Sequence, residues 1–169
     1  MTWKRDNSPI SIVVAAEQLT AYMFQITNNE KQFPKAYRYT LVQDIRNTLL
    51  RLNKHIYNGC GRKPSTMKDI RRMYKFQNKV NEDLLDLKAL MMIAIEAAHI
   101  KNPEEYAKLY DNTVTAYNKW VRNNRREEQR VKERGTNKDT RTQRIAKQQA
   151  KTIARDPDGF AVLVQRTIT

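Results

Sequence analysis

Apolar residues recur along this chain at steps of three and four in four separate stretches. Ile12, Ala16, Leu19, Met23 and Ile26 form the first set, and Leu41, Ile45, Leu49, Leu52 and Ile56 the second. The third runs Met73, Gln77, Val80, Leu84, Leu87, Met91, Ala94 and Ala98, with Gln77 its one polar break. The fourth runs Tyr106, Tyr110, Thr113, Tyr117 and Trp120. Steps of three and four follow the turn of an α-helix, so each set lines one helix face. Four such faces can close a common core, and the expected fold is all-α: an antiparallel four-helix bundle followed by a basic C-terminal extension.

The punctuation between the sets agrees. Phe33-Pro34 is expected to end the first helix, because a residue before proline disfavours the helical region. Gly59-Cys60-Gly61 offers a glycine C-cap for the second. Ser65 or Thr66 can cap the third, with Asp69 in capping-box register three residues after Thr66. Asn102-Pro103-Glu104-Glu105 combines a cap, a proline at the first helical position and two acids against the helix dipole.

The character changes after Val121. From Lys119 to Arg155 there are 13 bases and 4 acids, a balance of +9 in under a quarter of the chain. Apolar residues there are few, chiefly Val131, Ile145 and Ile153, too few to bury a core of their own. The expected division is therefore a bundle over 1–124 and a basic extension over 125–169, partly disordered or ordered by a partner. Helix four is expected to continue to about Arg134 and break at Gly135. Phe160 to Ile168 turns apolar again, and two readings stay open: a docking peptide, or a segment packed on its own bundle.

Charge sharpens the picture. The 169 residues carry 32 Lys and Arg against 18 Asp and Glu, a net +14. Solubility does not require so large an excess, whereas a phosphate-rich partner does. Cys60 is the only cysteine, which excludes an internal disulfide and a thiolate metal site and suits a reducing cytoplasm. The apolar run Ile10 to Ala16 meets Glu17 too soon for a signal peptide or a spanning helix. The expected location is cytoplasmic, with no membrane contact.

The bases fall in three groups. Between Arg62 and Lys79 there are seven, Arg62, Lys63, Lys68, Arg71, Arg72, Lys75 and Lys79, against the single acid Asp69. Lys75 lies about 200° around the helix from Met73, so this stripe faces away from the core and can follow a phosphate backbone. A merely solvated face normally mixes signs. Helix two carries Arg38, Arg46 and Lys54, with Lys35 and Arg51, more scattered; Arg46 pairing with Asp44 or a neighbouring acid is as good a reading as binding. Arg122, Arg125, Arg126, Arg130, Lys132 and Arg134 continue the basic surface along helix four. Tyr37, Tyr39, Tyr57, Tyr74 and Tyr117 lie near bases, where stacking on unpaired nucleobases competes with ordinary core and rim packing.

Catalytic chemistry finds little support. His55 and His99 have no carboxylate or histidine at ligand spacing and read as helix-end or rim residues. Cys60 has no neighbouring histidine to activate it. The pairs Glu82-Asp83 and Glu104-Glu105 read as surface and N-terminal helix charges. No glycine loop cradles a phosphate, no carboxylate cluster holds metal, and no cofactor is expected. Leu50, Leu85, Leu90 and Ile93 flank the main core positions and point to self-association.

The stretch Phe33-Pro34-Lys35-Ala36-Tyr37-Arg38-Tyr39-Thr40-Leu41, continuing Val42-Gln43-Asp44-Ile45-Arg46-Asn47-Thr48-Leu49-Leu50, resembles a known junction. It is similar to the first helix junction of a bacterial four-helix-bundle family. That family includes the accessory variability determinant (Avd) proteins of diversity-generating retroelements and relatives encoded in intervening sequences of ribosomal RNA genes. Its pattern leads from FPK into a helix that starts RYTL and carries an IRNT-like run. The resemblance implies a homopentamer with a basic surface that binds a reverse transcriptase and the template-repeat and flanking RNA, and so supports mutagenic cDNA synthesis. It carries over no catalytic residue. The basic extension is a departure from the compact members. Competing readings are an intervening-sequence protein, a DNA-binding accessory protein of a mobile element, and a structural helical oligomer. A preference for structured RNA over duplex DNA separates the first reading from the DNA-binding one.

Overall fold

The computed structural model describes residues 10–61, 63–98, 100 and 103–155. Among them are four α-helices and no strand: α1 Ile10–Asn28, α2 Gln43–Cys60, α3 Met67–Ala98 and α4 Glu104–Arg155. The fold is all-α. No described helix is long and apolar enough to cross a membrane. The chain divides into two compact units, Met1–Glu128 and Gln129–Thr169, and α4 contributes to both.

In the first unit the periodic sets do what their spacing predicts. Ile12, Leu19, Met23, Ile45, Leu49, Leu52, Ile56, Val80, Leu87, Met91 and Ala94 are almost wholly removed from solvent. They form two adjoining clusters, and all four helices contribute to each. One gathers Leu19, Met23, Leu49, Met91 and Tyr106; the other gathers Ile12, Ala16, Ile56, Val80 and Trp120. The two polar positions in the periodic sets are also buried. Thr113 is held by its own helix, its hydroxyl donating to the Leu109 carbonyl at 2.8 Å and lying 3.3 Å from that of Ala15 in α1. Gln77 lends its backbone carbonyl to the Tyr117 hydroxyl, so a stretch of α3 is tied to α4.

Cross-helix hydrogen bonds join the neighbours at several levels. Arg46 and Asn53 of α2 donate to Thr27 and Thr20 of α1. Arg51 of α2 donates to Asp83 and Asp86 of α3. Tyr110 of α4 donates to the Leu84 carbonyl of α3.

Several boundaries differ from expectation. α1 stops at Asn28, ahead of Phe33-Pro34. The Asn29 side chain takes the Lys31 N–H at 3.0 Å, a local turn that competes with another helical turn. Phe33 then folds back into the core at 3 % exposure. The chain re-enters through a 3₁₀ turn, Lys35–Tyr37, and a π-helical turn, Arg38–Val42, before α2 proper begins.

Two glycines also depart from expectation. Gly61 caps α2 in an ordinary right-handed conformation, φ −68° and ψ −14°, so no left-handed cap is used. Gly59 lies inside α2 and is needed for close approach: a Cβ there would stand 2.7 Å from Trp120 Cη2. Gly135 does not break α4 either. Among the described residues, nothing beyond its chain neighbours and its own helix backbone lies within 4 Å of where its Cβ would be. One glycine costs a helix about 1 kcal/mol, which the flanking Lys, Arg, Glu and Gln residues outweigh.

The start of α3 follows the sequence closely. The Thr66 hydroxyl accepts the Asp69 N–H, and the Asp69 carboxylate accepts the Thr66 N–H at 2.9 Å, closing the reciprocal box. At the start of α4 the Pro103 carbonyl accepts the Ala107 N–H, with Glu104 and Glu105 in the first turn. The Asn102 cap lies outside the described residues, as do His99, the structure of Arg62 and the apolar segment Phe160 to Ile168.

Candidate nucleic-acid interface

The first half of α3 buries Ile70, Met73, Gln77 and Val80 and turns its bases outward. Lys68, Arg71, Arg72 and Lys75 are exposed and Lys79 is half-buried. At 100° per residue these five lie within an arc of about 100°, a narrower stripe than a solvated face needs. Phe76 sits at its edge. The Arg72 guanidinium lies 5.8 Å and the Lys79 ammonium 6.0 Å from its ring centroid. An aromatic face attracts cations, so the Phe76 ring favours the approach of both. His55 of α2 meets the same ring, centroids 6.4 Å apart. Lys63, just before α3, is exposed.

α4 brings further bases to this part of the first unit. The Tyr74 phenol of α3 donates to the Glu128 carboxylate of α4 at 2.5 Å. Burial, then the Glu128 carboxylate, push that phenol up to about 12, and Arg125 opposes the shift. Arg122 and Arg126 are exposed on the same helix. Arg130, Lys132 and Arg134 are exposed in the second unit.

Two expected binding residues are otherwise engaged. Arg38 donates to Glu30 at 3.1 Å, a carboxylate it shares with Lys35. Arg46 donates to Thr27 and Asn28 rather than to Asp44, and its guanidinium lies 5.2 Å from the Phe24 centroid. It acts as a clasp between α1 and α2. Lys54 is exposed on α2.

A polar cluster between α2 and α3 runs against the sequence reading. Asp83 is buried, at 2 % exposure, rather than a surface acid. Its two oxygens face Arg51 Nε at 2.5 Å and His55 Nδ1 at 2.6 Å, while Arg51 Nη2 reaches Asp86 at 2.7 Å. The hydrogen bond to Asp83 raises the Arg51 guanidinium further above its ordinary value. His55 thus has a carboxylate partner after all, 28 residues away in sequence and invisible to any local spacing rule. The one local signal is that Asp83 adjoins Leu84 and stands between Val80 and Leu87, at the edge of the apolar face.

Cys60 is largely buried, and desolvation pushes its thiol up to about 12. A thiol so displaced is protonated at neutral pH and a poor nucleophile. Among the described residues no three His, Cys, Asp or Glu side chains gather as a metal site. No family model, curated protein or solved structure matches the chain.

Proposed function

We propose that the chain is an antiparallel four-helix bundle with a basic extension, serving as a non-catalytic nucleic-acid-binding accessory subunit. The cross-helix contacts support the arrangement: residue numbers rise on one helix as they fall on its neighbour, as in the pairs 46–27 and 53–20, or 84–110 and 77–117. The observation that carries the function is the same-sign stripe Lys68, Arg71, Arg72, Lys75 and Lys79. Its five cations repel one another, and only part of that repulsion is relieved by Phe76. A polyanion relieves the rest and releases its own counterions.

Together with the resemblance at Phe33 to Leu50, this favours an Avd-like cytoplasmic subunit that associates with a reverse transcriptase and its template RNA. Leu85, Met92 and Ile93 of α3 are each more than half exposed, as is Leu50 of α2, while Leu90 packs against the core. These exposed apolar side chains support self-association, with a pentamer as the expected order. The test is co-purification with the cognate reverse transcriptase and its RNA, then cDNA synthesis with and without this chain. Unchanged synthesis and no RNA bound at moderate salt would overturn the reading and leave a structural oligomer.

A further inference from the structure

The described part of the second unit is one helix, the stretch of α4 after Glu128, and most of its bases gather on one side. Arg130, Arg134, Arg141 and Arg144 are exposed and follow one another at helical spacing. Lys147 and Lys151 extend the series one and two turns further, also exposed. At 100° per residue all six fall within an arc of about 140°, over a rise of about 32 Å. Two uncharged amides, Asn137 and Gln148, lie inside that arc, each within about 20° of Arg130 and within about 40° of Arg141. The acid Glu133 also falls inside this arc, and the opposite side holds Lys132 and Asp139 as well as the small or modest Gly135, Thr142, Ala146 and Ala150.

We propose that this basic helix is an arm that enters the major groove of B-form duplex DNA. The inference rests on reading the chain as a nucleic-acid binder, not on its partnership with a reverse transcriptase, and the duplex-DNA preference it predicts favours the competing reading of a DNA-binding accessory protein of a mobile element. A B-form major groove is about 12 Å wide, and a bare helix with its side chains is about 10–12 Å across. No aromatic side chain occurs between Gln129 and Lys151 to widen it. Arg on guanine and Asn or Gln on adenine are the side chains whose paired donors and acceptors match base edges there. Here Asn137, Arg141, Arg144 and Gln148 form one line, placed to face the floor of the groove. Arg130, Arg134, Lys147 and Lys151 stand at the ends and flanks, placed to reach the phosphate walls.

Other polyanions fit less well. An A-form RNA duplex has a major groove too narrow and deep for a helix. Single-stranded RNA is held largely by stacking on aromatics, and the arm has none. A membrane-surface helix needs a broad apolar face, and this one offers only Val131, Ile145 and two alanines between Gln129 and Lys151.

The test uses the full-length protein. Fluorescence anisotropy at moderate salt compares a DNA duplex, an RNA duplex of the same sequence and a single-stranded RNA. The arm predicts tighter binding to the DNA duplex than to the RNA duplex, displacement by the major-groove dye methyl green and no displacement by the minor-groove ligand distamycin. Arg141→Gln with Arg144→Gln should weaken DNA binding about tenfold or more. Arg141→Lys with Arg144→Lys keeps the charge but loses the paired contacts, so the DNA preference should fall while the salt slope holds. Equal affinity for the two duplexes, or unchanged DNA binding in both variants, would overturn the proposal. Changing Arg71, Arg72, Lys75 and Lys79 to Gln tests the α3 stripe separately: the DNA preference should survive it, and its loss would count against the arm. Absence of RNA binding alongside an intact DNA preference would sink the accessory-subunit reading alone.

Discussion

Gly59 and Asp83 are two residues whose neighbours decide their roles. At Gly59 the Trp120 ring occupies the space a side chain would need, with Phe76 Cβ 3.1 Å away on the other flank. Gly59→Ala should cost about 1–3 kcal/mol, read as a lower denaturation midpoint at unchanged slope. Wild-type stability in that variant would mean that α4 yields at Trp120 without penalty. Asp83 is the buried member of its cluster, and Asp83→Ala leaves His55 without this partner and Arg51 with Asp86 alone. The loss expected from removing a buried hydrogen-bonding group is about 1–3 kcal/mol. Arg51→Ala should cost less, because the Arg51 side chain is 46 % exposed and partly served by water. Cys60, held protonated by burial, should react with iodoacetamide much more slowly in the native protein than after unfolding; comparable rates would contradict its burial.

Each helix start and stop is a contest between local chemistry and continuation. At the start of α3 the hydrogen bonds from Ser65 and Thr66 hold the Asp69 carboxyl down to about 2, against an ordinary 3.8. A depressed carboxyl stabilises the fold above its unfolded value and loses that contribution as pH falls through the folded one. The stability gap between wild type and Asp69→Asn should therefore be full above about pH 4 and close as pH approaches 2. A gap independent of pH would exclude the charged cap. In α4, a Cβ at Gly135 meets nothing among the described residues beyond its own helix, so Gly135→Ala should raise helix content and stabilise the second unit by up to about 1 kcal/mol. Circular dichroism showing less helix in that variant would restore the break expected there.

For the whole molecule the governing quantity is charge, a net +14. Nucleic-acid affinity should fall steeply with salt, by about 0.7–0.9 in log affinity per unit of log salt for each phosphate contact. Replacing Arg71, Arg72, Lys75 and Lys79 with Gln should flatten that slope while leaving the melting transition in place, since none of the four is a core residue. An unchanged slope would remove the α3 stripe from the interface. Leu85→Lys with Ile93→Lys should lower the oligomeric order seen by light scattering, and a monomeric wild type across micromolar concentrations would exclude self-association.

The identity of the buried faces was determined by sequence alone. Period is a local property, so Leu19, Leu49, Leu87 and Trp120 announce their side of a helix without knowledge of the partner. The Thr66–Asp69 cap and the outward stripe of α3 are local in the same sense, because three- and four-residue spacings convert directly into angle. The ends of α1 and α2 were less legible. Asn29, Gly59 and Gly61 are all plausible breakers, and only the packing of Phe33 and Trp120 selects among their uses. The pairing of His55 with Asp83, and of Arg46 with Thr27 and Asn28, joins residues 18 to 28 positions apart. Such contacts exist only once two helices lie side by side, and no periodicity encodes them. The extension differs: its charge is plain in the sequence, and its helix persists through Gly135 by the propensity of the flanking residues, a local effect and not a packing one. That persistence turns a run of bases into a face.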